Sequence, residues 1–489
     1  MNAKRALSVN ISQVFRYAQL HRHKFVRELE EFIRFPTVSA QPKHADAIRQ
    51  GAEWLANHLR GIGMDHVQVI RTSRHPLVYA DWSHVPGNPT LLVYGHYDVQ
   101  PPDPITEWRF PPFQPTIKRG ILYGRGACDD KGQMFTHVKA IETYLQTTGS
   151  LPVNVKCLFE GEEEIGSPNL PKFLKVNQQR LQADVVVMSD MPMVAPNRPA
   201  ITYAMRGALS VEVEISGPEQ DLHSGIFGGA IHNPLQVLCE LIAGLHDSKG
   251  RITIPGFYDR VRRWSKAERD YMAKVGPADA DLLRNAKAPR GWGETGYTAY
   301  ECTTIRPSLS INGIIGGYQK EGAKAIIPSR AIAKLNFRLV PHQTPQEIDQ
   351  LFREHVKRST PPTVQVTVRT LVSAHPALIN RNHPVMRAAA TAYRKGFDAD
   401  PVFLRSGGTI PVVNMLQESL DVPVVLMGFA LPNDHMHGPN EKFHLSNFFK
   451  GIDTSIWFLN QIGEQAVSSH GLDLEERFYP SQLTSLSTA

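Results

Sequence analysis

The 489-residue chain has little cysteine: Cys128, Cys157, Cys239 and Cys302 stand far apart and form no CxxC pair. That spacing argues against a disulfide framework and against a structural zinc held by thiolates. It fits a reducing compartment, with the cytoplasm as the expected location. No apolar stretch is long enough to cross a bilayer, and the opening MNAKRALSVNISQVF has no apolar signal core, so no membrane partner is expected. An excess of one charge is also missing. The 53 basic and 47 acidic residues leave a formal +6, with no Lys/Arg block and no basic stripe interleaved with aromatics. Nucleic acid is therefore not an expected partner.

What remains is the composition of a globular protein, 42% hydrophobic and 20% charged, in a chain long enough for two domains. Phe25, Leu29, Phe32 and Ile33 recur at helical spacing up to Pro36, and Ile48, Ala52, Leu55 and Leu59 do so up to Gly61, a C-terminal stop signal. Strands are expected at Val67–Ile70, Thr90–Val99, Val153–Phe159, Val185–Met188 and Val424–Met427, with a helix at Thr136–Thr147. Strands alternating with helices indicate an α/β sheet covered by helices. The middle of the chain reads differently. Ser210–Ile215, Ala333–Leu339 and Val364–Val368 alternate in polarity, and helices opened by Pro234 and by the capping box Thr344–Glu347 lie between them. The expectation is a small α+β domain at 208–378 inserted into a discontinuous domain of 1–207 and 379–489. Residues 250–305, rich in charge, Gly and Pro, receive no assignment.

The chemistry gathers where apolar runs end. Leu91–Tyr94 leads into Gly95, His96 and Asp98; Cys157–Phe159 leads into the acidic run Glu160–Glu164; Val185–Met188 leads into Asp190. Asp129 lies in the glycine-rich stretch 124–132, and His437 follows the strand at 424–427. Open α/β sheets bind ligands beyond the C-terminal ends of their strands. Carboxylates stacked at one strand end repel each other unless a cation neutralises them. Taken singly, each group is commoner as a solvated turn or a structural residue. Together they form an N and O donor set without sulfur, which suits a first-row divalent ion such as Zn, Mn or Co. Asp98 is placed to accept the other ring N–H of His96 and fix its tautomer.

The run GHYDVQPPDP, then LYGRGACDDKG and EGEEEIGS, resembles the M20 metallopeptidase family. TYAMRG at 203–208, DLHSGIFGG at 221–229, RLVP at 338–341, RSGGTIP at 405–411 and HGPNEK at 437–442 extend the resemblance over most of the chain and toward the cytosolic nonspecific dipeptidase and carnosinase branch. It implies a zinc-peptidase-like catalytic domain with a mixed central sheet flanked by helices, and an inserted α+β domain serving as lid and homodimerisation surface. It further implies two divalent ions, zinc first and manganese or cobalt otherwise. His96, Asp129 and Asp190 would hold one ion and Asp129, Glu164 and His437 the other, with a cis peptide between Asp129 and Asp130. Asp98 would orient His96, Glu163 would be the general base, and His223 would reach the neighbouring subunit's site to stabilise the oxyanion. Arg405, Gly407, Gly408 and Thr409 would line the substrate pocket. Arg338, facing away from the apolar side of its strand, would fork onto a substrate carboxylate or make a surface salt bridge.

The expected activity is hydrolysis of dipeptides or related small amides. Two departures from the branch, Ser406 where it often carries Glu and Ala325 where a Thr is expected, bring in an N-acyl or N-carbamoyl amino-acid amidohydrolase as the alternative. A silent binding protein is the reading from another class, and the presence of Glu163 speaks against it.

Overall fold

The computed structural model describes residues 11–468. The chain forms two compact units: Met1–Tyr203, Ile379–Phe403 and Met415–Ala489 make the first, Ala204–Leu378 and Leu404–Asn414 the second. The segment 404–414, left with the C-terminal part in the sequence reading, thus groups with the inserted unit.

The apolar runs of the first unit become a sheet in the order Asp65–Ile70, Leu77–Trp82, Asn154–Glu160, Thr90–His96, Val185–Ser189, Val424–Met427, Ala200–Met205. The four strands from Asn154–Glu160 to Val424–Met427 are parallel to one another, and Leu77–Trp82 joins antiparallel. Val185–Ser189 and Val424–Met427 are buried throughout, as strands covered on both faces must be. Parallel register sends the C-terminal ends to one edge. His96 pairs with Glu160, and Ser189 pairs with Met427.

Helices Ala45–Ile62, Lys131–Thr148, Pro384–Phe397 and Leu445–Ser468 belong to this unit. Lys131–Thr148 is buried on every side from Lys131 to Tyr144, so its sequence carries no single apolar stripe. It approaches the sheet through Gly95, where a Cβ would stand 2.6 Å from that of Met134 and 2.9 Å from an Asp130 oxygen. A side chain at position 95 would push the helix off the strand that carries His96. Gly61, expected to stop its helix, lies inside it; Gly63, at φ +100°, makes the stop.

The second unit is a four-stranded antiparallel sheet in the order Ser308–Gly316, Arg330–Leu339, Gly207–Ser216, Gln365–Ala374. Val211, Val213, Ile215, Leu335 and Phe337 form its core with Leu238 and Phe352 from helices Pro234–Ala243 and Pro345–Ser359. The Thr344 hydroxyl accepts the Glu347 N–H at 3.2 Å, whereas the Glu347 carboxylate, expected to complete a capping box, takes Arg260 Nε at 2.9 Å. The unassigned stretch holds helices Lys266–Val275, Asp279–Ala286 and Ala299–Thr304; the last opens with a complete capping box of Thr298 and Glu301.

Candidate metal centre

At the edge reached by the parallel strands, one carboxylate stands between two imidazoles. His96 Nε2 lies 3.3 Å from Asp129 Oδ1 and 3.9 Å from Asp190 Oδ2. His437 Nε2 lies 2.9 Å from Asp129 Oδ2 and 3.3 Å from Glu164 Oε2. Within each triad, His96–Asp129–Asp190 and Asp129–Glu164–His437, the donor atoms lie within 4.8 Å of one another. All five residues flagged as ligands come together, with Asp129 common to both groups. The Asp129–Asp130 peptide is cis.

Asp98 faces the His96 ring with two acceptors. His96 Nδ1 donates to the Asp98 backbone carbonyl at 3.1 Å and stands 3.4 Å from its carboxylate, which leaves Nε2 for a ligand. The carboxylate also accepts the backbone N–H of Glu163 at 3.2 Å and of Glu164 at 3.1 Å, and so fixes the turn that carries them.

The donor set fits divalent ions. Buried polar atoms normally find partners, yet His96 Nε2, Glu164 Oε1 and Asp130 Oδ1 are buried here without a hydrogen bond. A third acidic group, Glu28, His58 and Glu142, has the same ligand types. There Lys139 Nζ already sits 2.5 Å from Glu28, 2.6 Å from Glu142 and 2.8 Å from His58, so an ammonium neutralises the cluster.

Protonation follows the crowding. Burial pushes the Glu163 carboxyl up to about 8, with the charges of Glu164, Asp98 and Asp129 adding to it against the pull of His96. Burial also raises Asp190 well above the carboxylate range. Hydrogen bonds to Asp129 and Glu164 push His437 up to about 10. Asp129 goes the other way: burial disfavours its charge, but the two imidazoles hold it ionised. The raised carboxyls and imidazoles take up protons to relieve the crowding of acceptors, and a divalent ion can do the same in their place.

In the second unit, His223 is exposed at a short strand pairing with Ile326, and its Nδ1 accepts the Gly225 N–H at 3.0 Å. Ala325 is its neighbour there, its carbonyl accepting the Ser224 N–H at 3.1 Å. Arg338 Nη1 donates to the Thr409 hydroxyl at 2.7 Å, which donates in turn to the Arg206 carbonyl at 2.7 Å. Gly407 fits tightly, since a Cβ would meet the Thr303 carbonyl at 2.4 Å. Gly408 donates its N–H to Ser406 Oγ at 3.1 Å. Arg405, expected at the substrate pocket, is buried within the unit: it pairs with Glu268 at 2.9 Å and stacks 3.7 Å over Trp264. Its guanidinium anchors the 405–409 loop rather than facing solvent.

The sequence profile of peptidase family M20/M25/M40 matches residues 92–460, which hold both triads that share Asp129. The chain belongs to that family. It is 32% identical to the human Beta-Ala-His dipeptidase over 461 residues, 90% of each chain. Among solved structures, the Saccharomyces cerevisiae di-peptidase Dug1p superposes with a TM-score of 0.80 at 27% identity, over 94% of this chain and 99% of that one. An M20 family metallo-carboxypeptidase from Sulfolobus solfataricus superposes with a TM-score of 0.80 at 33% identity, over 90% and 99%.

Three side chains of this M20 site escaped the sequence reading. Gln100 donates to Glu164 Oε2 at 2.7 Å. Arg125 and Glu441 form a buried ion pair at 2.8 Å beneath the loops carrying Asp129 and His437. The signal was the position of all three beside flagged ligands, in GHYDVQ, GRGACDD and HGPNE.

Proposed function

We propose that the protein is a dinuclear metal-dependent dipeptidase, with zinc as the native metal and Mn or Co as substitutes. One observation carries the reading: the two oxygens of Asp129 face two different imidazoles, each within a separate N/O triad. Names of relatives, a Beta-Ala-His dipeptidase and a di-peptidase, support dipeptides as the substrate class.

His96, Asp129 and Asp190 would hold one ion and Asp129, Glu164 and His437 the other. Bound there, the pair would supply a water of lowered pKa and polarise the scissile carbonyl. Glu163 takes the water's proton on its carboxylate and delivers it to the leaving amine. Asp98, by accepting both amides of the Glu163–Glu164 turn, keeps base and ligand in fixed relation. His223 of a neighbouring subunit donates to the developing oxyanion. Arg338 takes the substrate carboxylate, beside Thr409, Gly407 and Gly408.

The second unit is read as lid and homodimer surface. Ile226, Ile231 and Ile315, exposed at 72%, 40% and 60%, support an apolar contact on it. Four free cysteines support a reducing, cytoplasmic setting. Among the described residues no helix is long and apolar enough to cross a membrane.

The test is a panel of free dipeptides and their N-acetylated forms, given to protein reconstituted with Zn, Mn or Co, with products identified by mass. Cleavage of the free dipeptides is expected. A strong preference for the capped compounds would replace the dipeptidase reading with an N-acyl amidohydrolase, and no turnover with any metal would end the enzymatic one.

A further inference from the structure

Glu441 is fully buried in a loop that looks polar, and it satisfies one stretch of backbone. Its Oε2 accepts Gly126 N–H at 2.8 Å, and its Oε1 accepts Cys128 N–H at 2.9 Å and Asp129 N–H at 3.1 Å. Its charge is met by Arg125 Nη1 at 2.8 Å. The other end of that guanidinium, Nη2, reaches the carbonyls of His437 at 3.1 Å, Gly438 at 3.2 Å and Pro101 at 3.3 Å. Trp108 lies under it, with its ring centroid 5.4 Å away.

The two side chains therefore join three loops that are remote in sequence: the one after His96 and Asp98, the one ending at Asp129, and the one carrying His437. The last carries the most unusual backbone. His435, His437 and Asn440 all sit at φ near +61°, a region that non-glycine residues rarely adopt. A loop in that conformation keeps its shape only when outside contacts hold it. Arg125 supplies two of them, at the carbonyl of His437 itself and at the next residue.

We infer that Arg125 and Glu441 are positioning residues that set His437 against Asp129, so that the affinity of the Asp129–Glu164–His437 ion depends on a pair that touches no metal. Asp129 is held at its own amide by Glu441, and His437 at its own carbonyl by Arg125. The separation of the two ligands is thus fixed through one ion pair. The His96–Asp129–Asp190 group depends on it less, because His96 and Asp190 ride on strand ends.

The inference rests on the metal-ligand reading above, and the experiment separates the two. Chelator-stripped full-length protein is titrated with Co(II), followed by calorimetry and visible absorption. Wild type should show two binding events; if it binds no metal, the ligand reading and this inference fall together. Arg125→Lys keeps the charge facing Glu441 and loses the nitrogen that reaches His437. It should weaken one event by about 10- to 100-fold, the usual effect of losing an outer partner of a metal ligand, and leave the other near wild type. Glu441→Gln, which replaces an acceptor oxygen by an amide facing backbone donors that include Asp129 N–H, should weaken the same event more than the other, because Asp129 serves both ions, and it carries the test should Arg125→Lys not fold. Two unchanged affinities in a folded variant would overturn the inference. So would equal weakening of both events, or failure of both variants to fold, since the pair would then support the fold rather than one ligand.

Discussion

Asp129 Oδ2 lies 2.9 Å from His437 Nε2, although the two residues are far apart in sequence. The other Asp129 oxygen faces His96, so one side chain serves two groups. Asp129→Ala is accordingly expected to abolish binding of both ions, whereas His437→Ala removes only one. Metal content by mass spectrometry after dialysis distinguishes them. An Asp129 variant that retains two ions per chain would contradict the bridging role.

Glu163 separates binding from chemistry. Its carboxyl is half-buried and pushed up to about 8 by desolvation, and the proposal gives it no ligand role. Glu163→Gln should keep both ions and lower kcat by about 10²- to 10⁴-fold, the usual contribution of a positioned base. Wild-type turnover in this variant would remove Glu163 from the mechanism.

The lid histidine allows a third measurement. His223 is exposed, and its ring accepts only a local backbone amide among the described residues, so loss of the ring should leave the fold intact. His223→Ala is expected to reduce kcat by about 100- to 1000-fold, as when an oxyanion donor is deleted, with unchanged metal content. If kinetics match wild type, the residue is only a turn cap.

A fourth prediction concerns pH. Glu160 is fully buried, accepts hydrogen bonds from the Tyr94 hydroxyl and, at 2.9 Å, from Ser167, and is pushed up to about 8 by burial, with Asp98 and Glu163 adding to the shift. Between its ordinary value of 4.5 and about 8, the folded protein keeps a proton that the unfolded chain has lost. That stabilisation is complete below the lower value and disappears as pH rises through the upper one. One pKa unit corresponds to about 1.4 kcal/mol, so the Tm of chelated protein should fall clearly from about pH 5 to pH 9. Glu160→Gln should flatten the decline. A wild-type Tm that stays level or rises over this interval would refute the argument.

Three ligand residues were readable because they stand where an apolar run stops, and parallel strands bring such stops to one edge; Asp129, in a glycine-rich stretch, and His437, in a loop well past its strand, joined them only as part of the set. His96, Asp190 and the Glu160–Glu164 run illustrate it directly. Glu441 was not readable in this way. It sits in a loop of Asn, Pro, Gly and Lys where an acid looks solvated, and only the three amides it accepts reveal its burial. The strand Ser308–Gly316 escaped for a related reason. At a sheet edge its Ile311, Ile314 and Ile315 are exposed, and the alternation that marks a half-covered strand is lost. Arg405 shows the limit of motif reading: its neighbours in RSGGT stay on the loop, while its own guanidinium is taken by Glu268, far away in sequence.

The strand Val424–Met427 lies between Val185–Ser189 and Ala200–Met205, both laid down in the first half of the polypeptide. During synthesis that slot stays open until Val424–Met427 has been made, and His437 emerges later still. A product terminated before His437 would therefore lack the Asp129–Glu164–His437 cluster, however well the rest of the sheet had formed.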